Sequence, residues 1–294
     1  MSADRVAVTG APAAAWVERE ARVVANALLP GKRHHYAVVE LAGDFPDPAP
    51  GQFAMLGPSP APPGLLLKRP MSVARAWREA GRLYLGFLYT VVGAGTQALA
   101  RASEAWTVLG PLGRGFAETD GPRVLVAGGR GVAPLVLLAE ECARRGEPVA
   151  FLNGARTACE LIAPEDLAAG PFAPGSVSLV TTEDGSLGRR GRVLDALDDA
   201  RVAALLARPG ATLYSCGPHG LLAAVGEVGR RHGVPSSVAL EAHMACGTGI
   251  CRSCVIPRAE GAPVPAAASN AAYILACLDG PCVGAETVDW EHAP

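Results

Sequence analysis

The sequence predicts a multidomain α+β chain in three parts: an antiparallel β-barrel over residues 1–118, a doubly wound α/β domain over 119–233 and a small cysteine-rich domain over 234–294. Three observations predict it. Short apolar runs broken by Gly and Pro fill the first part, as in barrels and sandwiches. In the second, apolar runs alternate with stretches of helical period, as in βαβ units around a parallel sheet. Of the eight cysteines, Cys246, Cys251, Cys254, Cys277 and Cys282 crowd into the third.

Barrel strands are expected at 22–29 (RVVANALL), 35–42 (HYAVVELA), 51–56 (GQFAML), 82–92 (RLYLGFLYTVV) and 105–113 (AWTVLGPLG). The stretch 57–64, GPSPAPPG, is too rich in Pro and Gly for regular pairing and is expected to be an exposed loop. In the second part, RVLVAGG (123–129) reads as a buried strand and GVAPLVLLAEECARRG (131–146) as a helix closed by glycine. Strands follow at 148–155, 176–185 and 211–218, and helical patterns at 191–210 and 220–233. The third part has little helical pattern beyond one Ala-rich segment, and the chain has no internal repeat.

Half of the residues are hydrophobic and 18% are charged, ample for buried cores. Basic and acidic residues number 26 and 28, a net charge of −2, so neither nucleic acid nor an anionic membrane surface is an expected partner. The N-terminal segment lacks the basic and apolar regions of a secretory signal, and no apolar run reaches about 18 residues. A soluble, cytoplasmic chain is expected. There, eight cysteines point to metal or redox chemistry rather than to disulfides.

Cys246 is followed by Cys251 after four residues, by Cys254 after two more and by Cys277 after a further 22. Plant-type ferredoxins hold a [2Fe–2S] cluster with this spacing. One tight loop supplies three thiolates, and Gly247 and Gly249 allow it to curl and aim N–H groups at sulfur. Structural zinc takes paired CxxC knuckles, and one such pair occurs here. The fourth ligand is Cys277 or Cys282, and the turn Asp279-Gly280-Pro281 favours Cys277.

Two motifs in the barrel region, the second glycine-bearing, together suggest a flavin dinucleotide. In KRPMSVA (68–74), Arg69 can contact a diphosphate and Ser72 an isoalloxazine edge. In VVGAGTQAL (91–99), Gly93 and Gly95 let the chain approach an anion at a segment beginning with Thr96. In the second part, VAGGRGVAPL (126–135) is a strand, a glycine turn with Gly128, Gly129 and Gly131, and a helix start. YSCGPHG (214–220) sets Cys216 and Gly217 at a second strand end, so a nicotinamide dinucleotide is expected at the carboxyl edge of the sheet. The loop TTEDGSLGRRGRV (181–193) can meet its ribose or phosphates, although Arg189 and Arg190 read more simply as solvated.

Arg69-Pro70-Met71-Ser72, Gly95-Thr96, GPLGRGF, GGRGVAPL, TEDGSLGRRGRV, CGP and EAHMACGTGIC with CLDGP together resemble the electron-transfer subunit of type B dihydroorotate dehydrogenase, of the ferredoxin reductase superfamily. The similarity runs from about residue 20 to 290. It implies an FAD-binding barrel, an NAD-binding domain and a [2Fe–2S] domain, with NAD(H) as substrate. It also implies a partner, an FMN-containing catalytic subunit that oxidises dihydroorotate, in a heterotetramer serving pyrimidine biosynthesis. Carried over, FAD contacts fall on Arg69, Pro70, Met71, Ser72, Leu88, Tyr89, Thr90, Gly95 and Thr96, and cluster ligands on Cys246, Cys251, Cys254 and Cys277. Thr90 replaces a basic residue, Arg130 an apolar one and Leu221 a Met, Ala127 stands for a first glycine, and Cys282 is extra.

No residue for acid–base chemistry on a substrate is expected. The cluster potential is expected above roughly −400 mV, raised by burial and N–H donors. Related architectures serve NADH-dependent ferredoxin:NADP⁺ oxidoreductases, sulfide dehydrogenases and soluble hydrogenases. A reductase feeding an oxygenase and a zinc-stabilised nucleotide-binding regulator are the more distant alternatives.

Overall fold

A computed structural model describes residues 9–12, 15–264 and 272–293. The first part carries β1 (Thr9–Pro12), β2 (Val17–Leu28), β3 (His34–Leu41), β4 (Phe53–Ser59), β5 (Arg69–Glu79), β6 (Arg82–Thr90), α1 (Ala94–Arg101), β7 (Ala105–Leu112) and β8 (Arg114–Phe116). Six of these close a barrel in the order β2–β3–β6–β5–β4–β7, and β1 pairs with β8 outside it. Alternation explains the closure: β3 points Ala37, Val39 and Leu41 inward, against Leu83, Leu85 and Phe87 of β6 and a fully buried Trp106 of β7.

Two expectations change here. Arg69–Glu79, of which the sequence reading singles out only the motif at 68–74, is the long strand that completes the barrel. The supposed loop 57–64 begins as strand: Gly57, Pro58 and Ser59 pair with Thr107, Trp106 and Ala105 of β7. Pairing of β4 with β5 is confined to Phe53–Leu56, so the proline, which has no N–H, sits where one side of β4 needs no donor. Residues 60–64 are exposed as expected.

The second part carries β9 (Arg123–Gly128), α2 (Val132–Arg144), β10 (Val149–Ala155), β11 (Val177–Thr182), β12 (Arg189–Arg190), α3 (Ala200–Leu206), β13 (Thr212–Cys216) and α4 (His219–His232). The helical pattern at 191–210 is split into a 3₁₀ turn, Val193–Asp198, and α3, because the Asp199 carboxylate accepts from the Arg201 N–H and starts a new helix. The third part carries β14 (Ser236–Ala239), β15 (Val255–Pro257), β16 (Tyr273–Leu275) and β17 (Cys282–Gly284). Its Ala-rich segment lies largely outside the described residues.

One seven-stranded sheet unites the second and third parts, in the order β12–β11–β10–β9–β13–β14–β17, with only β17 antiparallel to its neighbour. Chain order runs outward from β9 in one direction and then resumes at β13 on its other side. The crevice at the carboxyl ends of β9 and β13 is therefore the topological switch point, where such sheets bind ligands. The barrel is fastened to this sheet through α2: Arg75 of β5 pairs with Glu140 at 2.8 Å, both largely buried, and also donates to the Leu167 carbonyl at 3.3 Å. No helix among the described residues is long and apolar enough to cross a membrane.

Candidate functional site

Two cavities meet where the three parts converge. The smaller, ≈ 230 Å³, has Pro70, Met71, Ser72, Leu88, Tyr89, Thr90 and Thr96 of the barrel on one side. Ala133, Pro134 and Cys216 face them from the sheet, and Leu240, Ala242 and Met244 from the chain leading to the cysteine loop. The larger, ≈ 1100 Å³, opens over the sheet's carboxyl edge, with Gly128, Gly129, Gly154 and Pro218 as its floor. Thr90, Val92, Arg130 and Glu241 line both, so the cavities open into each other.

Arg69 and Gly95 pack on one another beside the smaller cavity rather than in its wall. A side chain at Gly95 would collide with the Arg69 guanidinium, which is thereby held at the start of α1. Thr96 ties the preceding loop to that helix, its Oγ1 accepting from the Val92 N–H at 2.9 Å and the Gly93 N–H at 3.2 Å. Thr90 is hydrogen-bonded to His34 on the neighbouring strand, Oγ1 to Nδ1 at 2.7 Å. Burial, then the nearby Arg130 and Arg33 guanidinium groups, hold that imidazole below its ordinary range.

The two strand-end turns of the sheet pack face to face. Gly131 touches the Cys216 carbonyl so closely that no Cβ could fit, and a Cβ on Gly128 would lie 2.7 Å from Leu221 and 3.0 Å from Pro218. Gly131 and Gly217 shape these turns from behind, whereas Gly128 and Gly129 face the larger cavity. Burial pushes the Cys216 thiol up, so it serves as a small uncharged surface. From the loop 181–193, Glu183 and Arg192 reach the cavity, while Arg189 and Arg190 form the exposed edge strand β12.

The cysteines separate cleanly. Cys246 Sγ accepts N–H groups from Thr248 and Cys251, each at 3.4 Å. Burial pushes this thiol up, but the donors outweigh it and bring it down to about 6. The curl that aims those donors needs left-handed backbone at Gly247 (φ +74°) and Gly249 (φ +82°), and a Cβ on Gly247 would also strike Met55 at 2.6 Å. Cys254 and Cys277 are buried with their sulfurs 3.2 Å apart, and the hydrogen bond between them holds one thiol down while the other keeps the proton. Cys251 is exposed, 3.2 Å from Ser253 Oγ.

Among the described residues no three His, Cys, Asp or Glu side chains close on a single metal position. The thiols instead stand two and two, Cys246 beside Cys251 and Cys254 beside Cys277, an arrangement that fits a binuclear cluster. Cys282 is elsewhere: on β17, opposite Ala239, with Sγ 3.7 Å from the Gly51 carbonyl and burial holding it protonated. Cys254 and Cys277 share one apolar core with Phe53, Met55 and Leu112 of the barrel, and Phe53 also lines the smaller cavity. Cluster loop and cavity are thus two faces of one packed wall.

Sequence reasoning missed Phe53, Leu240 and Met244, apolar residues that carry no motif. It also missed the charged rim formed by Arg33, Arg156, Glu160 and Glu241. A loop joining β2 to β3 reaches across to that rim, Lys32 donating to the Ala158 carbonyl at 2.9 Å and Arg33 pairing with Glu160 at 2.9 Å. Only long-range topology could have revealed this.

Comparison with known proteins agrees with the geometry. The model for the iron-sulfur cluster binding domain of dihydroorotate dehydrogenase B matches residues 241–289, and that for the oxidoreductase NAD-binding domain matches 125–227. A dihydroorotate dehydrogenase B (NAD(+)) electron transfer subunit from Listeria monocytogenes serotype 4a is 36% identical, over 82% of this chain and 88% of its own. The Geobacillus kaustophilus subunit of the same name is 36% identical over 79% and 83%. A solved structure of an NADH-dependent reduced ferredoxin-NADP oxidoreductase superposes with TM-score 0.72 at 27% identity, covering 93% of this chain and 91% of that one. The barrel, the doubly wound sheet and the cysteine-rich unit of this chain thus belong to the family of dihydroorotate dehydrogenase B electron transfer subunits.

Proposed function

We propose that this chain passes electrons between NAD(H), held over the sheet edge, and an FMN-containing dihydroorotate dehydrogenase catalytic subunit, in pyrimidine biosynthesis. The observation that carries this is the shared wall: the thiol pair Cys254–Cys277 and the smaller cavity are packed against one apolar core. When bound, FAD would supply two-electron exchange with nicotinamide and one-electron exchange with a [2Fe–2S] cluster.

The chain's own residues divide this work. Arg69, with the start of α1, would hold the FAD diphosphate, and Pro70, Met71, Ser72, Leu88, Tyr89, Thr90, Gly95 and Thr96 would shape its site. Gly128, Gly129 and Gly131, with Cys216 and Gly217, form the nicotinamide side. Cys246, Cys251, Cys254 and Cys277 are the cluster ligands, with N–H groups of Thr248 and Cys251 directed at sulfur. Phe53, Leu240 and Met244, which line the smaller cavity, would keep water from its apolar wall. No side chain is assigned a proton-transfer role in dihydroorotate chemistry, which falls to the partner.

We assign the barrel to residues 1–118, the nucleotide domain to 119–233 and the cluster domain to 234–294, with β14 and β17 of the last embedded in the sheet of the second. The complex is a cytoplasmic heterotetramer. The likeness to the ferredoxin-NADP oxidoreductase supports a second reading, the same relay serving another flavoprotein partner. Affinity capture from the native host decides between them. Recovery of a dihydroorotate-oxidising flavoprotein, with NAD⁺ reduced only by the complex, supports the first; recovery of a different flavoprotein alone contradicts it.

A further inference from the structure

We infer that Arg130 is a binding residue for the diphosphate of the nicotinamide dinucleotide, an assignment that rests on the nucleotide reading of the larger cavity. Five side chains that can carry positive charge line that cavity: Arg33, His34, Arg130, Arg156 and Arg192. Most are already engaged or uncharged. Arg33 and Arg156 both bind Glu160, the latter through two hydrogen bonds of 2.8 and 2.7 Å. His34 is held neutral at physiological pH by burial and by its cationic neighbours. Arg192 precedes the 3₁₀ turn Val193–Asp198, beside the end of β10 where Val193 packs on Gly154, and so lies outside the turn between β9 and α2.

Arg130 differs from all of them. It sits in the glycine turn between β9 and α2, at the switch point where a dinucleotide's diphosphate meets a helix N-terminus. It is exposed, and it lines both cavities. The residues facing the same junction from the barrel side are Val92, which is apolar, and Thr90, which offers a hydroxyl already bonded to His34 and no charge. Among the described residues Glu241 is the one acid that lines both cavities, and it forms no ion pair with Arg130. The sheet's turn therefore supplies the cation that the barrel wall lacks, at the point where the two cavities join. A guanidinium suits this task because its fork can engage two phosphate oxygens at once.

The test compares wild type, Arg130→Leu and Arg130→Lys holoprotein. Dissociation constants are measured for NADH, for ADP-ribose, which keeps the diphosphate, and for adenosine, which lacks it; bound FAD is quantified by absorbance. For Arg130→Leu, NADH and ADP-ribose should bind roughly tenfold to a hundredfold more weakly, the loss expected for one charge-assisted contact. Adenosine affinity and FAD content should be unchanged, the dependence of ADP-ribose binding on salt should flatten, and Arg130→Lys should recover part of the affinity. Equal ADP-ribose affinity in wild type and Arg130→Leu overturns the inference, as does loss of FAD with ADP-ribose affinity intact. A wild-type protein that binds neither NADH nor ADP-ribose would instead overturn the nucleotide reading itself.

Discussion

The nucleotide sheet and the cysteine-rich unit solve the same problem, holding a charged redox group, by opposite means. In the sheet the candidate groups are two glycine turns at the ends of β9 and β13, the first carrying Arg130, positioned by strands that pair over five or six residues and by helices packed on both faces. In the cysteine-rich unit the binding groups are side chains on a loop with little regular structure. Its own hairpin, β15–β16, pairs only three residues a side, and its thiols rest on a core borrowed from barrel strands β4 and β7. The contrast shows that the first region is specified by hydrogen-bonded periodicity and the second by what it binds. Metal binding is part of the folding free energy of a site like the second.

The largest effect that would break this comparison is loss of one thiol. Cys254→Ser and Cys277→Ser should abolish the cluster absorption, while FAD and NADH oxidation by small dyes survive because the sheet stands without it. Cys282→Ser should keep the cluster spectrum, since its sulfur faces Gly51 and not the loop. Loss of FAD together with the cluster would show that the two regions are one cooperative unit.

Next comes the joint between barrel and sheet. Arg75→Met leaves Glu140 largely buried without its partner, and unfolding stability should fall by about 3 kcal/mol in a denaturant titration. A change below 1 kcal/mol would show water reaching the carboxylate. Gly247→Ala should cost about 1–3 kcal/mol through the left-handed backbone, with Met55 also in the way. Its signature is faster cluster loss to a chelator with unaltered NADH affinity.

The smallest effect is in pH. His34 and His35 are held below the ordinary histidine value, His34 by burial and its neighbouring arginines, His35 by burial. The unfolded chain then binds more protons, so these residues weaken the fold as pH drops below about 6.5 and leave it unaffected above. His34→Gln should flatten the decline of melting temperature between about pH 6.5 and 5; an unchanged slope would remove His34 from the account.

How much of this was legible depends on the same contrast. The β/α alternation, the glycine turns and the thiol spacing are local patterns, and β9, α2, β10, β13, α4 and the Cys246–Cys254 loop stand where those patterns lie. β5 was hidden because its run RPMSVARAWRE mixes charge with apolar residues, and only barrel closure makes it a strand. Pro58 misled for the opposite reason, a local breaker tolerated where one side of β4 needs no donor. The positions of Cys277 and Cys282 depend on long-range pairing, which puts one beside Cys254 and the other against Gly51. The cavity walls, built from Phe53, Leu240 and Met244, left no mark in any single segment.

The central claim is that the C-terminal thiols carry an iron pair against the wall of the flavin cavity. Electron paramagnetic resonance of anaerobically purified, dithionite-reduced protein, with iron and acid-labile sulfide assayed on the same sample, tests it most directly. The account predicts the signal of a reduced [2Fe–2S] centre, with roughly two irons and two sulfides per chain. A silent spectrum with no labile sulfide, or stoichiometric zinc in place of iron, would contradict it.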